Sequence, residues 1–308
     1  MPRDDSPPPS SHAPASFAWT AAAPAIFVVL WSTGFIAAKA GLPYAEPLTF
    51  LSWRFAFVTA LMLVASLVVR AAWPSRWIDV GHIAIVGLLM HGCYLGGVFS
   101  SIAAGFPAGL SALVVGLQPI LTATVVGALI GERVSWRQWC GLLLGFGGVA
   151  LVLAERYGFA VGDVTPGGWG WSAPALSVVA LFGITAGTIY QKRYCAQANL
   201  YTGAVIQYAA TFVPMALLAA ALETTIVEWA PPFVAAMVWL TLVLSVGTIS
   251  LLYLLIRRGA VSKIASLFFL VPPSTALIAW ALFGETLGPL ALGGMAVAAV
   301  GVGVVQRG

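Results

Sequence analysis

The sequence predicts an all-α, polytopic membrane protein whose ten transmembrane helices form two inverted five-helix repeats around a central cavity. Composition is the first reason for this prediction. Hydrophobic residues make up 60% of the 308 positions and charged residues only 8%, whereas soluble domains carry roughly 25% charged residues. A soluble fold of this size could not bury so much apolar surface, so the lipid bilayer is the solvent that the chain requires. The other two reasons are the spacing of the apolar runs and an internal repeat.

Ten apolar runs follow one another along the chain. Each is about 18–25 residues long, which is the length of a helix that crosses the hydrocarbon core of a bilayer. The runs lie near 20–39, 48–70, 79–103, 108–130, 136–154, 172–191, 202–222, 233–256, 262–283 and 287–305. The connections between them are short, so we expect no domain outside the membrane. Residues 1–17 are rich in proline and serine and predict a disordered tail.

An internal repeat divides the chain into two halves. Each half ends in an apolar helix broken by proline, a Gly-Glu turn and a glycine-spaced helix. A shift of 153 positions superimposes Pro119 on Pro272, Gly131 on Gly284, Glu132 on Glu285, Gly141 on Gly294 and Gly148 on Gly301. The predicted units are a cytoplasmic tail at 1–17, a first repeat at 18–154, an outer connecting loop at 155–171 and a second repeat at 172–308. Five helices per repeat is an odd number, so the second half is inverted and a site is expected near the midplane between the halves.

Basic residues predict how the helices are oriented. With a cytoplasmic N-terminal tail and ten alternating helices, eleven of the 14 Lys and Arg residues fall on the cytoplasmic side, as the positive-inside rule requires. They are Arg3, Arg70, Arg76, Arg133, Arg137, Lys192, Arg193, Arg257, Arg258, Lys263 and Arg307. Lys39, Arg54 and Arg156 fall on the outer side. We therefore expect both termini in the cytoplasm.

Several classes of partner find no support in the sequence. No basic run with interleaved aromatic residues is present, so nucleic-acid binding is not expected. The three cysteines, Cys93, Cys140 and Cys195, are expected to pack rather than to form disulfides or a metal cluster. There is no GxxxxGKS phosphate loop, so ATP is not the direct energy source. We expect no cofactor; the partners are the lipid bilayer and a small-molecule substrate, and the oligomeric state is open, with a monomer compatible.

Polar side chains in the middle of a span are candidate site residues, because each is costly in lipid unless it pairs or lines water. In the third run His91 and Tyr94 share one helical face with Gly87, Val98 and Ser101. A cavity role and a plain hydrogen bond to a neighbouring helix both explain them. Further candidates of this kind are Trp31, Phe182, Thr185, Gln207, Ser245 and Thr248. Serine and threonine side chains also form hydrogen bonds that pack membrane helices together, and the aromatic rings could equally face lipid.

Prolines interrupt two of the runs, Pro119 in the fourth and Pro272-Pro273 in the ninth. Proline removes a backbone hydrogen bond, and freed carbonyls are tolerated at this depth only where protein or cavity water satisfies them. These prolines are therefore predicted hinges or fixed kinks. The side chains predicted to line a cavity near the breaks are Gln118, Ser266 and Phe269.

Arg54 lies about six residues inside the second run, roughly 9 Å from its outer end. It could attract a carboxylate to an outer vestibule, or its side chain could extend to the lipid headgroups. The sequence leaves both roles open. Glu132 and Glu285 follow directly after the broken helices and are expected to brace helix ends rather than to contact cargo.

The chain resembles the EamA-type drug/metabolite transporters over nearly all of residues 20–305. The resemblance rests on the order of several features: FVVLWSTGFIAAKAGL in the first helix, an arginine early in the second (FLSWRFAFVTALML), and two proline and Gly-Glu pairs leading into helices that end in GGVALVL and GVGVV. Members of that family are ten-helix inner-membrane carriers of small metabolites, including exporters of amino acids, aromatic ones among them. The resemblance implies the same fold, location and activity here without identifying the cargo.

We therefore expect a secondary, exporter-like transporter that moves small amphipathic metabolites, foremost amino acids including aromatic ones, across the inner membrane by alternating access. The alternative cargo is a nucleotide- or lipid-linked sugar, whose negative charges would need several basic residues at the cavity. A membrane-embedded enzyme would need His, Asp, Glu or Cys side chains at one depth, and the three histidines are spread along the chain. No carboxylate lies at mid-span, so proton coupling would have to use His91, or the carrier is passive.

Overall fold

A computed structural model describes residues 14–106, 108–157, 170–283 and 287–308. Ten helices in these residues are long and apolar enough to cross a membrane, which confirms the predicted class and helix count. We number them α1 (Pro14–Gly41), α2 (Pro47–Val68), α3 (Trp77–Ala103), α4 (108–130), α5 (Trp136–Tyr157), α6 (Ser172–Tyr194), α7 (Leu200–Leu222), α8 (Pro231–Arg258), α9 (261–283) and α10 (Pro289–Arg307). The end of the bundle that carries the α1–α2 connection is the predicted outer end.

Two helix boundaries differ from the expected units. Helix α1 begins at Pro14, inside the stretch 1–17 that was expected to form a tail, since proline fits the first turn of a helix. Helix α5 continues to Tyr157, into the expected connecting loop. Residues 1–13, 107, 158–169 and 284–286 lie outside the described ranges, and with them Gly284 and Glu285 of the repeat.

Helices α4 and α9, which contain Pro119 and Pro272, are broken at matching positions. Helix α4 consists of the pieces Ala108–Val115 and Gln118–Ile130, and α9 consists of Val261–Ser266, a 3₁₀ turn at Leu267–Leu270, and Val271–Phe283. Pro119 and Pro272 each stand second in the later piece, where a missing amide hydrogen costs no intrahelical bond. The 153-position shift aligns the starts of both pieces, which supports the internal repeat.

Helices α3 and α8 each contain a π-helical segment that the sequence did not predict. The segments are Leu88–Leu95 and Leu240–Thr248, and their last residues coincide under the 153-position shift. A π segment widens the helix locally and is frequent at functional sites. Here it falls at the same place in the third helix of each half, and the two segments hold His91 and Ser245.

Helices α5 and α10 cross through a seam of small residues, among them Gly148, Ala298 and Gly301. A Cβ atom added at Gly148 would lie 2.4 Å from the backbone nitrogen of Ala298, and one added at Gly301 would lie 2.4 Å from that of Gly145. Small residues allow two backbones to approach this closely in a membrane. Helices α2 and α7 also pack along each other. In both pairs the partners are counterparts under the repeat, while the inverted orientation of the second half stays a prediction.

Charged side chains brace the helix ends. The Glu132 carboxylate accepts hydrogen bonds from the backbone amides of Val261 (2.9 Å) and Ser262 (3.0 Å) at the start of α9, so it caps a helix as predicted. At the same end, Lys192 Nζ donates to the carbonyl oxygen of Ile256 (2.7 Å) and to that of Gly259 (3.0 Å) at the end of α8. A carboxylate at a helix N-terminus and a cation at a C-terminus both complement the helix dipole.

Candidate functional site

Two polar contacts between the halves form the centre of the bundle. Arg54 on α2 donates from Nε to Ser245 Oγ on α8, at 2.9 Å. Gln207 on α7 stands at the repeat position of Arg54, and its Oε1 lies 3.4 Å from His91 Nε2 on α3. The second helix of each half thus contacts the third helix of the other half. All four side chains were predicted site residues, and all four are buried.

Aromatic rings fill the space between these two contacts. Phe55 and Tyr208, which are also counterparts under the repeat, have ring centroids 5.7 Å apart. The His91 ring stacks on Tyr208 at 4.1 Å with an interplanar angle of 15°, and the Tyr208 hydroxyl donates to the Ser245 carbonyl oxygen at 3.3 Å. The rings hold the polar groups in a fixed geometry, since a planar ring loses little conformational freedom on packing.

Tyr253 belongs to this cluster although the sequence analysis missed it. Its buried hydroxyl donates to Gln207 Oε1 at 2.7 Å and lies 3.5 Å from the sulfur of Met90. Gln207 Nε2 in turn lies 3.5 Å from Gln191 Oε1. The spacing of the sequence could have indicated this residue, because Tyr253 follows Ser245 by about two helical turns on α8 and therefore shares its face.

Arg54 is a buried cation that has no anionic partner in the described part of the chain. Its side chain is 4% exposed, and its single hydrogen bond in the described part of the chain runs through Nε. The Tyr94 and Tyr208 hydroxyls lie within electrostatic range of the guanidinium, but no carboxylate among the described residues pairs with it. An unpaired charge in a membrane interior is expensive. The free guanidinium N–H groups are therefore a ready binding point for an anion, and extension to the headgroups is the role that this burial disfavours.

An aromatic wall adjoins the cation. The rings of Trp31 on α1 and Tyr94 on α3 stack at 6.4 Å with an interplanar angle of 19°. Phe268 on α9 packs edge-on against Trp31, with ring centroids 5.1 Å apart. Both Trp31 and Tyr94 were predicted site residues, and Tyr94 links the wall to Arg54. This arrangement offers a flat apolar surface beside a positive charge.

Among the buried polar atoms without a hydrogen-bond partner in the described residues are one acceptor on α3 and one on α4. They are His91 Nδ1 and Gln118 Oε1, both buried. With Nε2 protonated toward Gln207, His91 Nδ1 is a free acceptor. Gln118 stands at the start of the second piece of α4, where its Nε2 lies 3.4 Å from Thr122 Oγ1. Leaving such a buried group without a hydrogen bond costs about 1–3 kcal/mol, so both atoms are candidates to bind a polar group of a ligand.

One predicted site residue is misplaced. Phe182 was expected to line the cavity, but its side chain is 57% exposed and faces out of the bundle. The buried face of α6 contains Leu181, Ile184 and Thr188, and Phe182 is turned by about 100° from Leu181. The prediction for Phe182 is therefore corrected: its place is on the lipid-facing side of α6.

The remaining predicted residues are buried, and their described contacts lie within helices or between neighbouring helices. Thr185 donates to the Leu181 carbonyl at 2.7 Å, and Thr248 donates to that of Val243 at 2.8 Å, each within its own helix. Ser266 lies 3.3 Å from Gln306 Nε2 on α10. Phe269 packs on α5, where a Cβ atom added at Gly145 would lie 2.5 Å from its ring. These contacts are of the helix-packing kind.

Comparison with known proteins agrees with this architecture. Residues 19–154 match the sequence profile of the EamA-like transporter family. The chain is 25% identical to the uncharacterized transporter YvbV of Bacillus subtilis over 80% of its own length and 78% of that protein. It is 30% identical to a probable terminal-alkyne amino-acid exporter of Streptantibioticus cattleyicolor over 65% of each chain. It is 33% identical to a probable amino-acid metabolite efflux pump of Escherichia coli over 42% of its own length and 41% of that protein.

The fold also matches a solved crystal structure of another protein. The two chains superimpose with a TM-score of 0.73 at 19% sequence identity, and the match covers 92% of this chain and 96% of the other. Such a likeness shows a shared fold over nearly the whole molecule, including the second half.

Proposed function

We propose that this chain, a transporter of the EamA-like family, exports small amphipathic metabolites across the inner membrane by alternating access. Amino acids, including aromatic ones, are the cargo that the site suits best. The observation that carries the proposal is the Arg54 guanidinium, which is buried beside the Trp31–Tyr94 wall and has no acidic partner among the described residues. Two of the relatives named above are described as exporters of amino acids or their metabolites.

The chemistry of a zwitterionic amino acid matches the groups around Arg54. A carboxylate can accept from the free guanidinium N–H groups in a charge-assisted, bidentate arrangement. His91 Nδ1, which has no partner among the described residues, is an acceptor for the α-ammonium group. An aromatic side chain would lie against Trp31 and Tyr94, since offset or edge-on ring contacts are favourable.

A nucleotide- or lipid-linked sugar is the second cargo class. Such polyanions would need several cations, and Arg54 is the one buried Lys or Arg among the side chains that the structure describes. This observation favours a cargo with a single carboxylate. The family name indicates a transporter, and we propose no enzymatic activity.

The proposal is tested by exchange transport in proteoliposomes loaded with unlabelled cargo and compared with protein-free liposomes. We expect uptake of labelled phenylalanine or tryptophan, and we expect the decarboxylated amines phenethylamine and tryptamine to compete poorly. A nucleotide sugar serves as the second competitor. Absence of transport for every amino acid would remove the amino-acid form of the proposal, and strong competition by the nucleotide sugar would favour the other cargo class.

Tyr94→Ala is expected to lower the transport rate about tenfold, because it removes an aromatic contact worth roughly 1 kcal/mol and opens the wall beside Arg54. Phe182→Ala is the matched control, since it removes a ring of similar size that faces out of the bundle. The measurement is the initial rate of exchange at equal amounts of reconstituted protein. Equal rates for the two variants would separate Tyr94 from the site.

We also propose that both termini face the cytoplasm. The support is the distribution of basic residues, which cluster at the end opposite to the α1–α2 connection. An epitope inserted in the α7–α8 connection should be accessible to antibody outside the cell, and protection of that epitope in intact cells would contradict the orientation.

A further inference from the structure

At the predicted outer end, the carboxylates of Glu46 and Glu223 join the α1–α2 connection to the α7–α8 connection in a reciprocal way. Glu223, after α7, accepts from the backbone amide of Leu48 (2.8 Å) and from the amide and hydroxyl of Thr49 (2.7 Å each) at the start of α2. Glu46, before α2, accepts from the backbone amide of Thr224 (2.7 Å) and from its hydroxyl. Each carboxylate thus binds the opposite half, and the contact is reciprocal. We name this pair of segments, residues 44–49 and 223–228, the outer latch.

The backbones of the two segments also pair. Ala45 and Val227 form an isolated antiparallel bridge, and the Glu228 amide donates to the Tyr44 carbonyl oxygen at 2.9 Å. Between these contacts Thr225 has φ = +58°, a conformation that is strained for a β-branched residue. Such strain persists only when surrounding contacts hold it, and the latch provides these contacts.

The matching position at the other end of the bundle is built differently. Under the 153-position shift Glu46 corresponds to Asn199, which caps its own helix by accepting from the Tyr201 amide at 2.9 Å. Glu223 corresponds to Arg70, a basic residue. In the described ranges, therefore, no carboxylate bridges the halves at that counterpart. The counterpart segments are joined by a hydrogen bond from the Thr202 hydroxyl to the Ala72 carbonyl oxygen at 2.9 Å. Among the described residues, the reciprocal carboxylate bonds are therefore the part of the latch that departs from the repeat.

Three aromatic rings, those of Phe50, Phe99 and Phe233, pack together on the inner side of the latch, and we call them the aromatic plug. Phe50, one helical turn outward of Arg54 on α2, is fully buried. Its ring centroid lies 5.7 Å from that of Phe99 on α3 and 5.2 Å from that of Phe233 on α8. A path from Arg54 to the outer solvent along this face of α2 has to displace these rings.

A cleft reaches the latch from the outer side. It has a volume of about 550 Å³ and is lined in part by Tyr44, Glu46, Ile102 and Ile226. Its walls therefore come from the latch itself and from the end of α3. Separation of the latch segments would join this space to the region of the plug.

We propose that the outer latch is the outer gate of the carrier, and that its carboxylate bonds hold the aromatic plug closed until cargo leaves. This inference rests on the proposed transport function. Because Glu46 and Glu223 belong to connections in opposite halves, an outward rocking of the halves breaks both sets of bonds together. The strained turn at Thr225 then relaxes, which favours opening once the bonds are lost.

The test measures access to the site and needs no knowledge of the cargo. Val98, on α3 one turn outward of Tyr94, is buried and is replaced by cysteine in a chain whose three native cysteines are replaced by alanine. A membrane-impermeant methanethiosulfonate reagent is added from outside. Glu223→Gln is expected to raise the labelling rate about tenfold, the change in a two-state equilibrium that follows the loss of one charge-assisted hydrogen bond.

Glu155→Gln provides the matched control. Glu155 on α5 accepts from the Ala291 amide at the start of α10, so it is also a carboxylate cap at this end of the bundle. That cap joins the two helices held by the glycine seam, and we expect its loss to leave labelling of Val98→Cys unchanged. Equal labelling in Glu223→Gln and in the parent chain would overturn the gate.

A disulfide tests the same gate without removing any carboxylate. Ala45 and Val227 are directly opposite in an antiparallel bridge, a geometry that brings Cβ atoms within reach of a disulfide. With Ala45→Cys and Val227→Cys oxidised, labelling of Val98→Cys should fall at least about tenfold below that of the reduced chain, and reductant should restore it. Unchanged labelling after oxidation would overturn the proposal even if Glu223→Gln failed to fold. If the protein transported no amino acid but both labelling experiments gave the expected results, the proposed cargo would be wrong and the proposed gate would stand.

Discussion

Arg54→Gln is expected to abolish export of carboxylate-bearing cargo, with a loss of transport of at least about 100-fold. The reason is that removal of one partner of a buried, hydrogen-bonded charge pair costs about 3 kcal/mol or more. Among the side chains that the structure describes, no other Lys or Arg is buried and could replace it. The measurement is exchange of phenylalanine in proteoliposomes, with protein amount and melting temperature matched to the parent chain. Arg54→Lys should recover part of the rate, because it keeps the charge and loses the bidentate geometry.

Ser245→Ala is the control for this prediction. It removes the partner of Arg54 Nε but leaves the cation in place, so we expect a change of only a few-fold. The decarboxylated amine gives a second control, since any residual exchange of this compound should not depend on Arg54. An Arg54→Gln carrier that transports the amino acid at the parent rate would show that Arg54 is a structural residue and would remove the central support of the proposed function.

Gly148→Val is expected to lower the free energy of unfolding by about 3 kcal/mol or more, because overpacking a tight contact forces backbones apart. A Cβ atom at this position would lie 2.4 Å from the Ala298 nitrogen and 2.5 Å from the Gly294 carbonyl oxygen, and neither backbone atom can rotate away. The measurement is unfolding of the purified protein in mixed micelles by a denaturing detergent.

The neighbouring residue supplies the control. A Cβ atom added at Gly147 meets no other atom within 4 Å, so Gly147→Val tests the same substitution in the same helix without the crossing. We expect this variant to unfold like the parent chain. Equal destabilisation of both variants would mean that helix propensity, rather than the α5–α10 seam, explains the effect.

The sequence was sufficient for the global architecture because the bilayer leaves few alternatives. An apolar run of sufficient length has to be a helix, so the ten spans followed directly from the spacing. Pro119 and Pro272 coincide with the starts of the later pieces of α4 and α9, where proline fits because it has no amide hydrogen to donate. Glu132 was assigned to a helix end correctly, since a carboxylate directly after a turn has few partners other than helix amides.

The orientation of individual side chains was harder to predict. In water, the polar and apolar faces of a helix show which side is buried, but a membrane helix is apolar all round and gives no such contrast. The orientation of Phe182 was predicted wrongly for this reason. Tyr253 was not predicted as a site residue because its role depends on the hydrogen bond from its hydroxyl to Gln207, a contact that the sequence does not show. The π segments at Leu88–Leu95 and Leu240–Thr248 carried no marker residue comparable to proline.

The alignment of Arg54 with Gln207 has a consequence for how a guest is held. The duplicated scaffold presents equivalent positions from its two sides, yet one position bears a permanent positive charge and the other a neutral amide. A zwitterion turned end for end would bring its ammonium group against the guanidinium, and like charges at contact distance repel strongly where water is excluded. The nearly symmetric fold therefore favours a single orientation of a zwitterionic cargo in the site.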